Sequence, residues 1–117
     1  MSIPITEVIS GVCRIYGLSV DILKETDNRS CEVYECRWAI SWILLNIYGM
    51  TLKSVSNRLR IKSIAVPRHG NIEFEKILNN HLGIDCESSR CTYLFKEDFD
   101  RLVEFINEVR CQREQKI

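Results

Sequence analysis

Lys53, Arg58, Arg60, Lys62 and Arg68, with His69 beside the last, crowd into one short stretch of the chain, and no acid interrupts them. The acid-free run extends from Cys36 to Ile72 and adds Arg37 near its start. Six of the sixteen Lys and Arg residues and none of the sixteen Asp and Glu residues fall within it, so a chain of formal net charge zero divides into a +6 segment and a −6 remainder. Guanidinium and ammonium groups set this close, with no neighbouring carboxylate in sequence, are suited to phosphate oxygens. A protein of ordinary pI can in this way present a local footprint to a polyanion.

The cysteines and histidines offer other chemistry. Cys31 with Cys36 and Cys86 with Cys91 form two CxxxxC pairs, and four thiolates can hold a structural zinc. The usual frame for such a site is a tight CxxC turn, however, and a spacing of five on a helix turns Cys31 and Cys36 apart. No metal and no other cofactor is therefore expected. Cys13 and Cys111 read as small core hydrophobes. His69 and His81 are the only histidines, and neither stands in a recognisable nucleophile context, so the sequence points away from an enzyme. Next to Arg68, His69 is suited to a base edge or a phosphate oxygen. His81 is suited to the negative end of a helix.

These groups need elements to position them. Ile5, Val8, Ile9, Val12, Cys13 and Tyr16 recur at helical spacing, with Pro4 suited to a first turn and Gly17 to a stop, which predicts a helix over residues 4–16. Ser19 can cap a short turn from Val20 to Leu23, followed by a polar loop. Ser30 can cap a long helix over 31–48, apolar nearly all round from Trp38 to Tyr48 and hence central. Gly49 ends it. Thr51 can cap a short helix that turns Leu52, Val55 and Leu59 inward and Lys53, Asn57 and Arg58 outward. The next helix has three possible starts, at a Ser63 cap, at Pro67 or at an Asn71 cap; the first places Pro67 at the fourth helical position, where proline begins to conflict with the helical ladder. Gly83 closes it, and Phe99, Leu102, Val103, Ile106 and Val109 mark a last amphipathic helix. The expectation is one all-α domain of five or six helices, with enough apolar material in its 117 residues for a single core.

The N-terminal MSIPITEVISG has no basic region and carries Glu7, unlike a signal peptide, and the apolar run Trp38–Ile47 is too short to span a bilayer. A cytoplasmic protein with free thiols and no membrane partner is expected.

GMTLKSVSNRLRIKS has the form of a helix-turn-helix: a short helix with three inward apolar positions, a basic turn and a further helix. In such a motif the first helix braces on the DNA backbone and the second enters the major groove. Arg37, Lys53, Arg58, Arg60 and Lys62 then neutralise phosphates, Thr51 offers a helix N-terminus to one, and Ser63, Arg68 and His69 face base edges.

The chain also resembles a known family. The run Ile5 to Leu23 with YGLS at Tyr16 to Ser19, Arg37 ahead of AISWILLNIYG, GMTLKSVSNRL at Gly49 to Leu59 and KEDFDRL at Lys96 to Leu102 are similar, in order and spacing, to the C-terminal DNA-binding domain of the bacterial replication initiator DnaA. That domain runs from a helix ending in YxLs through a basic loop to RxxAMYL and SLxEIGxxF. The resemblance implies a Trp-repressor-like helical fold, double-stranded DNA as partner, and a role in replication initiation or its regulation. It also implies departures. The family's loop before the long helix is basic and sends an arginine into the minor groove, whereas the corresponding stretch here carries Glu25, Asp27, Glu32 and Glu35, and Arg37 alone occupies a position comparable to the family's arginine. Where the family reads bases with Asp-His-Thr/Ser-Thr-Val, this chain has KSIAVPRHGN, so the family's standard box sequence is not expected as its target. No GxxxxGK[ST] phosphate loop occurs.

The alternative is a degenerate domain of this kind that binds a protein or its own copy. Acidic segments flanking the basic strip, and Pro67 and Gly70 as interruptions of the groove-entering helix, are the features that favour it.

Overall fold

The structure, a computed structural model, describes residues 3–25, 30–83 and 90–114. Among the described residues all regular structure is helical: α1 (Ile5–Tyr16), a 3-10 turn (Val20–Lys24), α2 (Cys31–Asn46), α3 (Leu52–Leu59), α4 (Ala65–His81) and α5 (Lys96–Glu114). Among them no helix is long and apolar enough to cross a membrane.

α2 is the axis of the fold, as its run of apolar residues requires. Val33, Cys36, Ala39, Ile40, Trp42, Ile43 and Leu44 are all buried, and the helix packs on α1, α3, α4 and the 3-10 turn. α1 contributes Val8, Ile9, Val12, Cys13 and Tyr16, and ends at Gly17, whose φ of 71° lets the Leu18 N–H reach back to the Cys13 carbonyl at 2.8 Å. α5 packs on α1 and supplies Phe99, Leu102, Ile106 and Val109 to the same core. Each such side chain, fully buried, contributes about 1.5–3 kcal/mol of transfer free energy.

Two expectations about α4 change. It starts at Ala65, so Pro67 occupies the third helical position, where its missing N–H is one of those that no intrahelical carbonyl reaches. None of the three expected starts is the observed one, and the proline causes no break. Gly70 does not interrupt the helix either: it is buried against Trp38 of α2, where a methyl would sit 2.7 Å from Trp38 Cδ1. α2 also ends at Asn46, slightly before the expected limit.

Among the cysteines, Cys13 is buried as expected, whereas Cys111 is exposed on the outer side of α5 and is no core residue. Cys31 is exposed and Cys36 buried, so the two point to different sides of α2; Cys86 lies outside the described residues. The Cys36 thiol lies 3.8 Å from the Cys13 sulfur, and this bond together with burial pushes Cys36 well above the usual thiol range.

Buried Glu35, Arg37, Ser56 and Glu73 all have hydrogen-bond partners. The Glu35 carboxylate, 4 % exposed, accepts from the Tyr16 hydroxyl at 2.5 Å, the Thr92 hydroxyl at 2.6 Å and the Tyr93 N–H at 2.7 Å. It thereby ties α1 and the segment before α5 to α2. Burial, and then the charge of Glu35, push the Tyr16 phenol well above its ordinary value. The Tyr48 hydroxyl donates to the Ile3 carbonyl, which fixes the chain ahead of α1.

Candidate nucleic-acid interface

α3 begins at a cap read directly from the sequence, whereas α4 begins after Ile64, which none of the expected starts named. Thr51 stands in extended conformation at the start of α3, and its Oγ1 accepts the Ser54 N–H at 3.1 Å. Val55 and Leu59 are buried, while Lys53, Asn57 and Arg58 face outward. α3 ends at Arg60, the single non-glycine residue with positive φ (57°) among the described residues. Its N–H bonds to the Asn57 carbonyl at 3.2 Å and that of Ile61 to the Ser56 carbonyl at 2.8 Å, the paired return bonds of a Schellman end. The conformation is one that glycine usually fills, so the arginine is held there at a local cost.

The turn into α4 is fixed by two serines. Buried Ser56 donates its hydroxyl to the Ser63 carbonyl at 3.3 Å, and the Ser63 hydroxyl accepts the Ala65 N–H at 3.1 Å. The Ser63 oxygen is thus engaged within the turn, and its own proton is what it can still donate. α4 turns Pro67, Gly70, Glu73, Phe74 and Ile77 inward. Its outer face carries Ile64, Ala65, Arg68, Ile72 and Glu75.

Lys53, Arg58, Arg60, Lys62 and Arg68 are all exposed, and among the described residues none of them has an ion-pair partner. Elsewhere some cations are ion-paired: Arg90 and Lys76 meet Glu73 at 2.8 and 3.4 Å and Arg101 meets Asp98 at 2.8 Å, while exposed Arg14 and Lys96 stand singly, away from the basic run, without such a partner among the described residues. On the outer side of α3, Met50, Ser54, Asn57, Arg58 and Arg60 line a shallow hollow open to solvent. This hollow is rimmed by two of the unpaired guanidinium groups.

Arg37 does not join them. It is 5 % exposed, and its guanidinium donates to the Leu23 carbonyl from Nε at 3.3 Å and from Nη2 at 2.8 Å, and to the Glu25 carbonyl from Nη2 at 2.9 Å. The residue expected to neutralise a phosphate closes the end of the 3-10 turn onto α2. The turn's last carbonyls need donors, and a planar fork of N–H groups one helix away supplies them. His69 is exposed but sits to the side of Arg68, with its ring edge-on to Trp38 at 5.7 Å between centroids. It flanks the outer face of α4 rather than centring it.

Several features escaped the sequence reading. Ile64 and Ile72 are expected core residues by type, yet they stand 44 % and 52 % exposed on either side of Arg68. Phe95 is 81 % exposed just ahead of α5. Arg90 lies over the Trp38 ring at 4.9 Å while bonded to Glu73. Glu32 and Glu35, which the resemblance sets against the family's basic loop, lie in α2 as the expected helix over 31–48 has them, and Glu35 is buried among three hydrogen-bond donors. Phase along α4, counted from buried Phe74 and Ile77, is the one sequence signal that puts Ile72 outside.

Among the described residues no group of three or more His, Cys, Asp or Glu side chains is placed to hold a metal ion. No protein-family model, no curated protein and no solved structure matches this chain.

Proposed function

We propose that α3, the turn at residues 60–64 and α4 act as a helix-turn-helix that binds double-stranded DNA, with the N-terminal half of α4 in the major groove and α3 braced on the phosphate backbone. The observation that carries this reading is the set of five exposed cations without ion-pair partners among the described residues, spread over one short helix, one turn and the first turn of the next helix. Such a set is unfavourable to leave facing itself, and phosphates relieve it. Phosphate contacts fall to Lys53, Arg58, Arg60 and Lys62, and Arg68 faces the bases with Ser63 and His69 at its flanks. The capped start of α3 at Thr51 supports a further backbone contact.

The kinship with the C-terminal domain of DnaA belongs to the same proposal. A long apolar helix, a short helix capped by threonine, a basic turn and a further helix support it. Arg37 takes no part in DNA contact in this reading, because its donors are engaged inside the fold. A role in replication initiation or its regulation follows only as far as that kinship does.

The second reading, a module that binds protein, loses the support expected from Pro67 and Gly70, since both fit within α4. It retains exposed Tyr93 and Phe95. One experiment separates the two: duplex affinity as a function of salt, for the wild type and for Arg60→Glu with Lys62→Glu. With about four phosphate contacts, affinity drops roughly a hundredfold between 50 and 200 mM salt, and the double variant loses most of that dependence. A slope near zero, or no duplex binding at any salt with a protein still captured, removes the DNA reading.

A further inference from the structure

α4 presents solvent with a face that is not merely basic. Ile64, Arg68 and Ile72 follow one another at intervals of four, so they form one stripe on the side opposite buried Pro67, Gly70 and Phe74. Two isoleucines about half exposed leave apolar surface in water at a cost, while the hydrated guanidinium between them, without an ion-pair partner among the described residues, has its donors open to an acceptor. The exposed cations that precede the stripe in the chain, Lys62 just before Ile64 and Arg58 and Arg60 at the end of α3, fit a polyanion. The stripe ends at Glu75, whose carboxylate accepts the Trp42 Nε1–H at 3.1 Å and brings negative charge to the helix at that point.

Resting on the DNA-binding reading above, we infer that Ile64 and Ile72 are specificity-determining residues that read thymine methyl groups on either side of a guanine held by Arg68. The guanine edge offers O6 and N7 as paired acceptors in the major groove, which the Arg68 fork matches, and the C5-methyl of thymine is the one apolar group on that surface. Eight residues of helix separate the isoleucines by about 12 Å. With base pairs stacked about 3.4 Å apart, the two thymines lie at most about four base pairs from each other, with the guanine between them. Selectivity at these positions then comes from methyl burial and needs no further hydrogen bond.

The test uses the full chain. Duplexes bound at low salt are selected from a random-sequence pool, and the selected duplex is remade with deoxyuridine at each thymine in turn. A guanine flanked by two thymines is the expected consensus, and loss of either methyl weakens wild-type binding about fourfold. Ile64→Ala removes the sensitivity at one thymine and Ile72→Ala at the other, with only small changes in melting temperature because both side chains are about half exposed. A consensus without these thymines, or methyl removal without effect on duplexes that still bind in a salt-dependent way, overturns the inference and leaves the DNA reading standing. Recovery of no duplex at any salt overturns both. Alanine variants that keep full duplex affinity but lose self-association in sedimentation assign the stripe to a second copy of the chain and equally overturn the inference.

Discussion

Gly70 of α4 lies so close to Trp38 of α2 that a β-carbon on it would meet Trp38 Cδ1 at 2.7 Å and the Trp38 Cα at 3.1 Å. The nearer atom belongs to a side chain that can turn, but the farther one is backbone. The glycine is thus what lets α4 settle against the central helix and present its opposite face outward. Gly70→Ala should lower stability by about 1–2 kcal/mol, the overpacking cost exceeding alanine's helix-propensity gain of about 1 kcal/mol. Urea denaturation measures it, and a neutral or stabilising result would show that the seam can open at no cost.

Arg37 is a second structural anchor within the basic run. Arg37→Ala leaves the Leu23 and Glu25 carbonyls without their donor and should cost about 2–4 kcal/mol. Lysine, a single point of donation, should recover only part of it. The same variants, assayed below their melting temperatures, should bind duplex with an unchanged salt slope. A slope reduced by about one would return Arg37 to the phosphate-contacting set.

Arg60 sets stability against binding. Its φ of 57° suits glycine, so Arg60→Gly should raise stability by about 1 kcal/mol. It should also weaken duplex binding and lower the salt slope by about 0.9. Thermal melting and a salt titration of one variant provide both readouts. Destabilisation by glycine would mean that the arginine side chain makes a contact strong enough to outweigh its backbone strain.

Glu73 makes part of the stability pH-dependent. Burial alone would raise its carboxyl, but the bonds from Arg90 and Lys76 outweigh burial and hold it below the ordinary value of 4.5. A carboxyl depressed in the folded state contributes stability that is present above its unfolded value and lost as pH falls through the folded one. Denaturation midpoints measured downward from pH 4.5 should therefore fall less steeply in Glu73→Gln than in the wild type. Equal slopes would remove Glu73 from the acid limb.

By itself the sequence determined the helices and much of their ends. Apolar spacing set α1, α2 and α5, and local chemistry set Gly17 as a left-handed stop and Thr51 as a cap, because these depend on a residue and its near neighbours. Charge segregation was equally legible, since it requires only counting. What tertiary structure decided was the direction of each side chain that has two plausible homes. Arg37 belongs by type to a basic surface, yet unfilled carbonyls of the 3-10 turn draw it inward; Cys111 belongs by type to a core, yet it lies outside. Glu35 gives up water for three donors, while Ile64 and Ile72 remain exposed because the close approach at Gly70 fixes which face of α4 is buried. Pro67 falls in the first turn of α4 because Ser56 and Ser63 meet across the turn and the helix begins at Ala65, a start that none of the three expected from sequence matches. Such outcomes depend on partners distant along the chain, and those partners are defined only once the helices have packed.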